Sequence, residues 1–149
     1  MLSYYIGQED VKAQGTSNSG VDVSEHTEQV ALFDWARANE ARHLQLGLMF
    51  TVPNQGGKGK GALIRGKKMV KEGLKKGVPD IFLAVPKKDK HGKDRHGLFI
   101  ELKVGKNKPS ANQLWWIHSL RTEGYAVEVC YGFEKARDAI VNYLGIEVQ

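Results

Sequence analysis

Cysteine is almost absent from this sequence, which has Cys130 as its single thiol in 149 residues. One cysteine rules out a disulfide within the chain and a thiolate metal cluster. The sequence also lacks any run of about eighteen or more consecutive apolar residues, as a membrane-spanning helix requires. Its first residues lack the basic start and apolar stretch of a secretory signal. We therefore expect a cytoplasmic protein without a membrane partner.

The remaining composition is that of one globular domain. Apolar residues make up 41% and charged residues 26% of the chain, which are ordinary values for a folded protein. A chain of this length holds a single core without covalent cross-links. Residues 14–24 are rich in Gly, Ser, Asn and Thr, a composition typical of a flexible segment. The sequence thus predicts a flexible arm over residues 1–24 and a folded domain over residues 25–149.

Positive charge is concentrated in three short runs. The net charge is +5 and the isoelectric point is about 9.3, which favours a polyanionic partner. The runs lie between Pro53 and Pro79, between residues 87 and 95, and just after residue 103. For each run taken alone, the alternative of solvated loops that only keep the protein soluble stays open. The candidate phosphate contacts in the first and third runs are Lys58, Lys60, Lys67, Lys68, Lys106 and Lys108.

Hydrophobic periodicity predicts an α/β protein with the element order αβ(α)ββαβα, in which the bracketed helix is short. Apolar residues recur at helical spacing after Ser24, a typical N-cap, and Ser110 with Gln113 forms a capping box before a later helix. Segments rich in β-branched and aromatic residues predict strands, and those at residues 80–85 and 98–104 are expected to pair antiparallel. The elements in order are expected near residues 25–40, 46–52, 63–77, 80–85, 98–104, 110–124, 125–131 and 134–144.

Acidic and basic side chains are expected to meet on two of these strands. Glu101 and Lys103 are two residues apart, so both point to one face of their strand while Leu102 points to the other. Antiparallel pairing brings Asp80, at the start of its strand, close to Glu101. Convergent carboxylates suit Mg²⁺ or Mn²⁺, and the backbone carbonyl of Leu102 is a further candidate ligand. With the Lys103 ammonium beside the ion, the pattern predicts a site that hydrolyses phosphodiesters.

Each of these residues also has an ordinary structural interpretation. A Glu-x-Lys pair on a strand is usually a solvent-facing ion pair, and Asp80 after a proline is typical of a turn. Glu28 shares the inward stripe of the first helix and faces the site, or it only favours the helix dipole. Gln113 either serves the capping box alone or contacts a phosphate or a metal-bound water. The conjunction of these residues, more than any one of them, favours a catalytic site.

Taken together, the motifs resemble the VRR-NUC family, the virus-type replication-repair nucleases within the PD-(D/E)xK superfamily. The resemblance covers most of the chain, from about residue 28 to residue 144. It is carried by Glu28, Pro53-Asn54, Gly77-Val-Pro-Asp80, Phe99-Ile-Glu-Leu-Lys103, Ser110-x-x-Gln113, Trp116 and the Gly124-Tyr-Ala-Val start of the last strand.

The resemblance implies a restriction-endonuclease-like core, in which helices flank a central mixed sheet, and cleavage of DNA that depends on Mg²⁺ or Mn²⁺. It implies metal ligation by Asp80 and Glu101, a catalytic Lys103, and supporting roles for Gln113 and for Glu28, the latter through a metal-bound water. No helicase motif accompanies the domain, so the chain resembles stand-alone phage and bacterial members. Such a member is expected in the bacterial or phage-infected cytoplasm, with DNA as its partner and no small-molecule cofactor.

One active site per chain implies a homodimer if two strands are cut symmetrically, as at a four-way Holliday junction. The main expectation is therefore an endonuclease selective for branched DNA, as used in DNA repair. Two alternatives stay open. One is a nicking or restriction-like DNA nuclease without structural preference, and the other is a DNA-binding module without catalysis.

Overall fold

Four α-helices and six strands are present in the computed structural model, which describes residues 23–53 and 61–148. A short 3-10 helix, Leu44–Leu48, precedes the first strand. The α-helices are α1 (Glu25–Asn39), α2 (Ala62–Lys71), α3 (Ala111–Thr122) and α4 (Phe133–Leu144). The strands are β1 (Met49–Thr51), β2 (Ile81–Leu83), β3 (Lys87–Lys88), β4 (Asp94–Arg95), β5 (Leu98–Lys103) and β6 (Ala126–Tyr131).

The main sheet has four strands in the order β1-β2-β5-β6. Strand β2 runs antiparallel to both β1 and β5, whereas β5 and β6 run parallel. The sheet is therefore mixed, as expected, and α3 supplies the crossover that a parallel pair requires. Because of these directions, β1, β5 and β6 all end at the edge of the sheet where β2 begins. This edge is the place where residues from four strands come together.

One face of the main sheet carries the hydrophobic core. Strand β5 places Leu98, Ile100 and Leu102 on this face, each at most 1% exposed. Helices α1 and α4 cover them. These three residues share one face because side chains on a strand repeat every two residues. The helices contribute Leu32, Ala36, Ala136, Ile140 and Leu144 to this core.

Helix α3 lies against the opposite face, at β6. Its Ile117 is buried, as is Val127 on β6, although neither belongs to the main core. The Ser110 capping box is present as predicted: the Ser110 side chain accepts from the Gln113 amide, and the Gln113 side chain accepts from the Ser110 amide. Gly77 has a φ of +86°, and a Cβ on it would lie 2.8 Å from the backbone carbon of Asn112. Only glycine therefore fits where this turn touches the start of α3.

Several predicted boundaries are corrected by the structure. The first three residues of the predicted strand 46–52 belong to the 3-10 helix, and the strand itself is limited to Met49–Thr51. A short apolar run carries no periodicity that separates the two states. Helix α2 ends at Lys71 rather than at Gly77, because Gly73 already leaves the helical region with a φ of +107°. The loop between β2 and β5 contains the unpredicted β3–β4 hairpin.

Further predictions concern the packing of α3, the N-terminal arm with two candidate lysines, and membrane-spanning helices. The helical spacing of Leu114, Ile117 and Leu120 predicts that all three lie on the inner stripe of α3, but Leu114 is 55% exposed. Most of the predicted arm, residues 1–22, lies outside the described residues, as do Lys58 and Lys60. Within residues 23–53 and 61–148, no helix has the length and apolar character needed to cross a bilayer.

Candidate active site

Asp80 and Glu101 come together at the shared edge of the main sheet. Strands β2 and β5 pair antiparallel with Ile81 opposite Ile100, so the next pair outward is Asp80 and Glu101. The Asp80 carboxylate accepts a hydrogen bond from the Leu102 amide, with Oδ2 and N 2.9 Å apart. This bond fixes the acid of one strand to the backbone of the next. The expected convergence of the two carboxylates is therefore present in the structure.

Glu101 is completely buried, at 0% exposure, although it is a charged residue type. Its Oε1 accepts two hydrogen bonds, from Lys103 Nζ at 2.8 Å and from Gln113 Nε2 at 2.5 Å. Its Oε2 is also buried and finds no hydrogen-bond partner among the described residues. The ordinary interpretation of a Glu-x-Lys pair, a solvent-facing ion pair, does not apply here, since Lys103 is only 6% exposed.

Burial raises the pKa of the Glu101 carboxyl to about 7. The Lys103 hydrogen bond acts in the opposite direction, and the nearby Asp80 charge raises this pKa further. Burial alone would lower the pKa of Lys103, but the hydrogen bond to Glu101 and the surrounding carboxylates outweigh it and raise that pKa above its ordinary value. Lys103 is thus held as an ammonium beside a carboxyl that gains a proton readily.

The first helix contributes two acids near this edge, in different ways. Glu25 Oε1 lies 3.7 Å from Lys103 Nζ. Glu28 is the residue singled out from the sequence. Its Oε2 instead accepts a hydrogen bond from the backbone amide of Phe133 at the start of α4. Gly132, the residue before Phe133, leaves room for this contact, since a Cβ on Gly132 would lie 3.1 Å from Glu28 Oε2. Sequence reasoning missed Glu25, although it occupies the same helix face one turn earlier.

Gln113 makes the predicted capping contact and also a contact with Glu101 that the sequence did not predict. Its Oε1 accepts from the Ser110 amide at 2.8 Å, which completes the capping box. Its Nε2 donates to Glu101. One amide therefore ties the N-terminus of α3 to the buried carboxylate, and this orientation leaves Glu101 Oε2 facing away from both donors.

The described candidate lysines lie on the chain segments next to the edge. Lys67 and Lys68 are exposed on α2, which precedes the turn into Asp80. Lys106 and Lys108 are exposed in the segment that joins β5 to α3. Of these, Lys68 pairs with Glu72 at 3.8 Å, an exposed contact of little energy.

The residues at the edge fit a hard cation with few protein ligands. Within the described ranges there is no group of three or more His, Cys, Asp or Glu side chains that could hold a metal ion. The edge does hold two carboxylates, those of Asp80 and Glu101, and Glu101 Oε2 can still accept a ligand. Mg²⁺ is commonly held by one or two carboxylates and several waters. The donor set is therefore compatible with such an ion.

Comparison with known proteins identifies the family. The family model described as "VRR-NUC domain" matches residues 57–134, more than half of the chain. The chain belongs to the VRR-NUC domain family. The matched region of this VRR-NUC chain includes Asp80, Glu101, Lys103 and Gln113 but not α1. Membership implies a nuclease of the PD-(D/E)xK type, and with it DNA binding.

The fold agrees with this family. A solved structure described as "VRR_NUC domain protein" superposes with a TM-score of 0.66 at 21% sequence identity. The alignment covers 84% of this VRR-NUC chain and 91% of the other chain. Both proteins therefore share the mixed sheet flanked by helices. No curated protein matches the sequence at a significant level.

Proposed function

We propose that this VRR-NUC protein is a metal-dependent DNA endonuclease that hydrolyses phosphodiester bonds at the edge formed by Asp80, Glu101 and Lys103. The observation that carries the proposal is Glu101 Oε2, a buried oxygen that no described donor reaches. Leaving a buried carboxylate oxygen unsatisfied is costly, so such an oxygen usually has a function. A divalent cation shared with Asp80 would satisfy it and offset the repulsion between the two acids.

The direction of the Leu102 carbonyl supports it as a third ligand. Successive carbonyls of a strand point to opposite sides. The Lys103 carbonyl accepts from the Gly132 amide, on the β6 side. The Leu102 carbonyl therefore points to the β2 side, where Asp80 also accepts the Leu102 amide. Three oxygens from Asp80, Glu101 and Leu102 would suit Mg²⁺ or Mn²⁺ with the remaining positions taken by water.

The protein side chains then have separate tasks. A divalent ion at this place would supply Lewis acidity and lower the pKa of a bound water. Lys103 would orient the attacking water and offset charge that develops on the phosphate, because its ammonium is held beside Glu101. Gln113 would keep the Glu101 carboxylate in one orientation. Hydrolysis adds the elements of water across one P–O bond and leaves a phosphomonoester and a hydroxyl group.

Helix α1 would act on this chemistry indirectly. One oxygen of Glu28 already accepts from the Phe133 amide, so for Glu28 we propose contact with the ion only through water. Glu25 lies closer to the ammonium of Lys103 and would help to position it. Glu28 would also hold α1 against the start of α4, and Glu25 would hold α1 near β5.

DNA would be held mainly through its phosphates. Lys67 and Lys68 on α2 and Lys106 and Lys108 after β5 are exposed cations on the two segments that flank the edge. Contacts of this type position the duplex without reading its sequence. We propose that branched DNA, such as a four-way junction, is cut by a homodimer, because paired cuts need two sites related by symmetry. A nicking nuclease without structural preference is the alternative, and one labelled substrate panel separates the two.

The test is cleavage of labelled four-way junction, flap and linear duplex DNA in Mg²⁺, Mn²⁺ or EDTA. Wild type is expected to cut in either metal and not in EDTA, with the junction cut fastest. Glu101→Gln, which keeps the size of the side chain but removes its charge, is expected to bind DNA without cutting it. Glu128→Gln is the matched control, since Glu128 is exposed on the neighbouring strand β6.

Two results would overturn the proposal. Equal cutting by wild type and Glu101→Gln would mean that another site or a contaminant is responsible. Salt-sensitive DNA binding by wild type without cleavage in any metal would instead indicate a binding module without catalysis. If all three DNAs are cut equally, the nicking alternative holds and the selectivity for branched DNA is wrong.

A further inference from the structure

Three phenylalanines lie side by side across the main sheet. Phe50 on β1 is opposite Phe82 on β2, and Phe82 is opposite Phe99 on β5. The rings of Phe82 and Phe99 stack with their centroids 4.3 Å apart, and the ring of Phe50 meets that of Phe82 edge to face at 5.6 Å. We call these three residues the aromatic row.

The aromatic row shares a face of the sheet with the candidate active site. Phe82 follows Asp80 by two residues, and Phe99 precedes Glu101 by two. Side chains two apart on a strand point to the same face. Two residues of strand span about 7 Å, so the row runs directly beside the pair of carboxylates and leads from them to the edge strand β1.

Phe50 is the open end of the aromatic row. Its side chain is 51% exposed, whereas Phe82 and Phe99 are half-buried. The chain just after β1 also lies close to the lysine-rich α2, because Val52 and Pro53 line one cavity together with Met69. An exposed aromatic ring is therefore combined with cations on a neighbouring helix, the pairing by which proteins hold single-stranded nucleic acid.

We propose that Phe50 stacks on an unpaired DNA base next to the phosphate that is cleaved. The proposal rests on the proposed nuclease function for the position of that phosphate. A base inside a duplex is already stacked on both sides by its neighbours, so it offers no free face to a protein ring. An unpaired base at a flap, gap or junction does offer one, and Phe50 thereby favours DNA with an unpaired nucleotide beside the cut.

The stacking is measured by binding, without cleavage. Fluorescence anisotropy in EDTA at low salt gives the affinity for two labelled flap DNAs, one with a normal base at the first unpaired position and one with an abasic site there. The proteins are wild type, Phe50→Leu and Phe50→Trp. Leucine keeps an apolar side chain without an aromatic face, and tryptophan keeps the face. Leu44→Ala is a control at another exposed apolar residue, 78% exposed.

We expect loss of the base to weaken binding by wild type about tenfold, in line with stacking on one aromatic side chain. The same loss is expected for Phe50→Trp and Leu44→Ala. For Phe50→Leu the two DNAs should bind equally, so that the base and the ring are coupled in a double-mutant cycle. An equal loss in wild type and Phe50→Leu, or no loss in either, would overturn the stacking.

The competing explanation for an exposed ring on an edge strand is contact with a second copy of the chain. Sedimentation of wild type and Phe50→Leu distinguishes the two. If Phe50→Leu dissociates a dimer and weakens binding to both DNAs equally, the ring is an interface residue and the proposal is wrong. Because the binding cycle requires no cleavage, failure of the nuclease proposal is read separately, from the Glu101→Gln comparison in Mg²⁺.

Discussion

Asp89 in the β3–β4 hairpin and Glu101 at the end of β5 are both carboxylates among basic side chains, but their oxygens are satisfied differently. Asp89 Oδ1 accepts the amides of His91 and Lys93 at 2.9 and 3.0 Å. Its Oδ2 accepts two bonds from the guanidinium of Arg95, at 2.8 and 3.0 Å. Glu101 has two donors on one oxygen and none on the other within the described residues.

The pKa values of the two carboxyls are shifted in opposite directions. The backbone hydrogen bond from Lys93, together with Arg95, lowers the pKa of Asp89 to about 2. Burial raises the pKa of Glu101 to about 7. A carboxylate whose acceptors are all used stabilises a turn, whereas a buried one with an unused oxygen has capacity left for a ligand. Basic neighbours alone therefore do not distinguish a structural acid from one at an active site.

The largest expected effect is on DNA cleavage, where substitution of Glu101 should matter and substitution of Asp89 should not. Glu101→Gln should lower kcat for DNA cleavage in Mg²⁺ about a thousandfold or more, because a neutral amide neither binds a hard cation well nor supports the Lys103 ammonium. Asp89→Asn should leave kcat within about twofold, since the hairpin lies at the other end of β2. Single-turnover kinetics measure both rates. A comparable loss in Asp89→Asn would mean that the comparison does not separate structural from active-site acids.

Lys103→Met tests a second residue of the candidate active site. Methionine keeps much of the buried apolar stem but removes the ammonium, so kcat should fall about a hundredfold. The pKa of Glu101 should rise further, because the hydrogen bond from Lys103 lowers it. Lys135→Met, at an exposed position on α4, is the control and should cleave normally. An unchanged rate for Lys103→Met would remove the lysine from the proposed chemistry.

The pH dependence of stability should follow the raised pKa of Glu101. Between pH 4.5, the ordinary value, and about 7 the folded protein holds a proton that the unfolded chain has lost. The free energy of unfolding of the metal-free protein should therefore fall as pH rises through this range, by about 3 kcal/mol. Urea unfolding in EDTA measures the change. Glu101→Gln should flatten the slope, and an equal slope in that variant would assign it to other groups.

The pairing of Asp80 with Glu101 was accessible from the sequence for a physical reason. Both strands are rich in β-branched and aromatic residues, and the chain between them is polar, so antiparallel neighbours and a shared face follow from strand geometry. The Ser110–Gln113 capping box was predictable too, because it is local. The second hydrogen bond of Gln113, to Glu101, was not predicted, since the packing of α3 on the sheet decides it.

The features that sequence reasoning missed depend on tertiary placement. The direction of Glu28 follows from where α4 begins, at Phe133, and no pattern within α1 contains that information. The aromatic row exists only through strand register, which places Phe50, Phe82 and Phe99 opposite one another. The β3–β4 hairpin has two residues per strand, too few for any periodicity.

The smallest expected effect is local to the hairpin. Asp89→Asn keeps an acceptor but removes the charge that pairs with Arg95, so hydrogen exchange at the amides of His91 and Lys93 should quicken several-fold. Asp94→Asn is the matched control and should change these rates less, because Asp94 contacts Lys88 in an exposed pair with side chains 74% and 67% exposed.

Acidification should mimic the Asp89→Asn change. The pKa of Asp89 is lowered from 3.8 to about 2, so its contribution is present above pH 3.8 and is lost as pH falls through about 2. This is the opposite sign to Glu101, whose contribution is lost as pH rises. Carbon-13 NMR of the two carboxyls reads both titrations in one sample. If Asp89 and Glu101 both titrate near pH 4, hydrogen bonding and burial do not shift their pKa values apart. The proposed difference between a structural acid in a turn and an acid at the candidate active site would then be wrong.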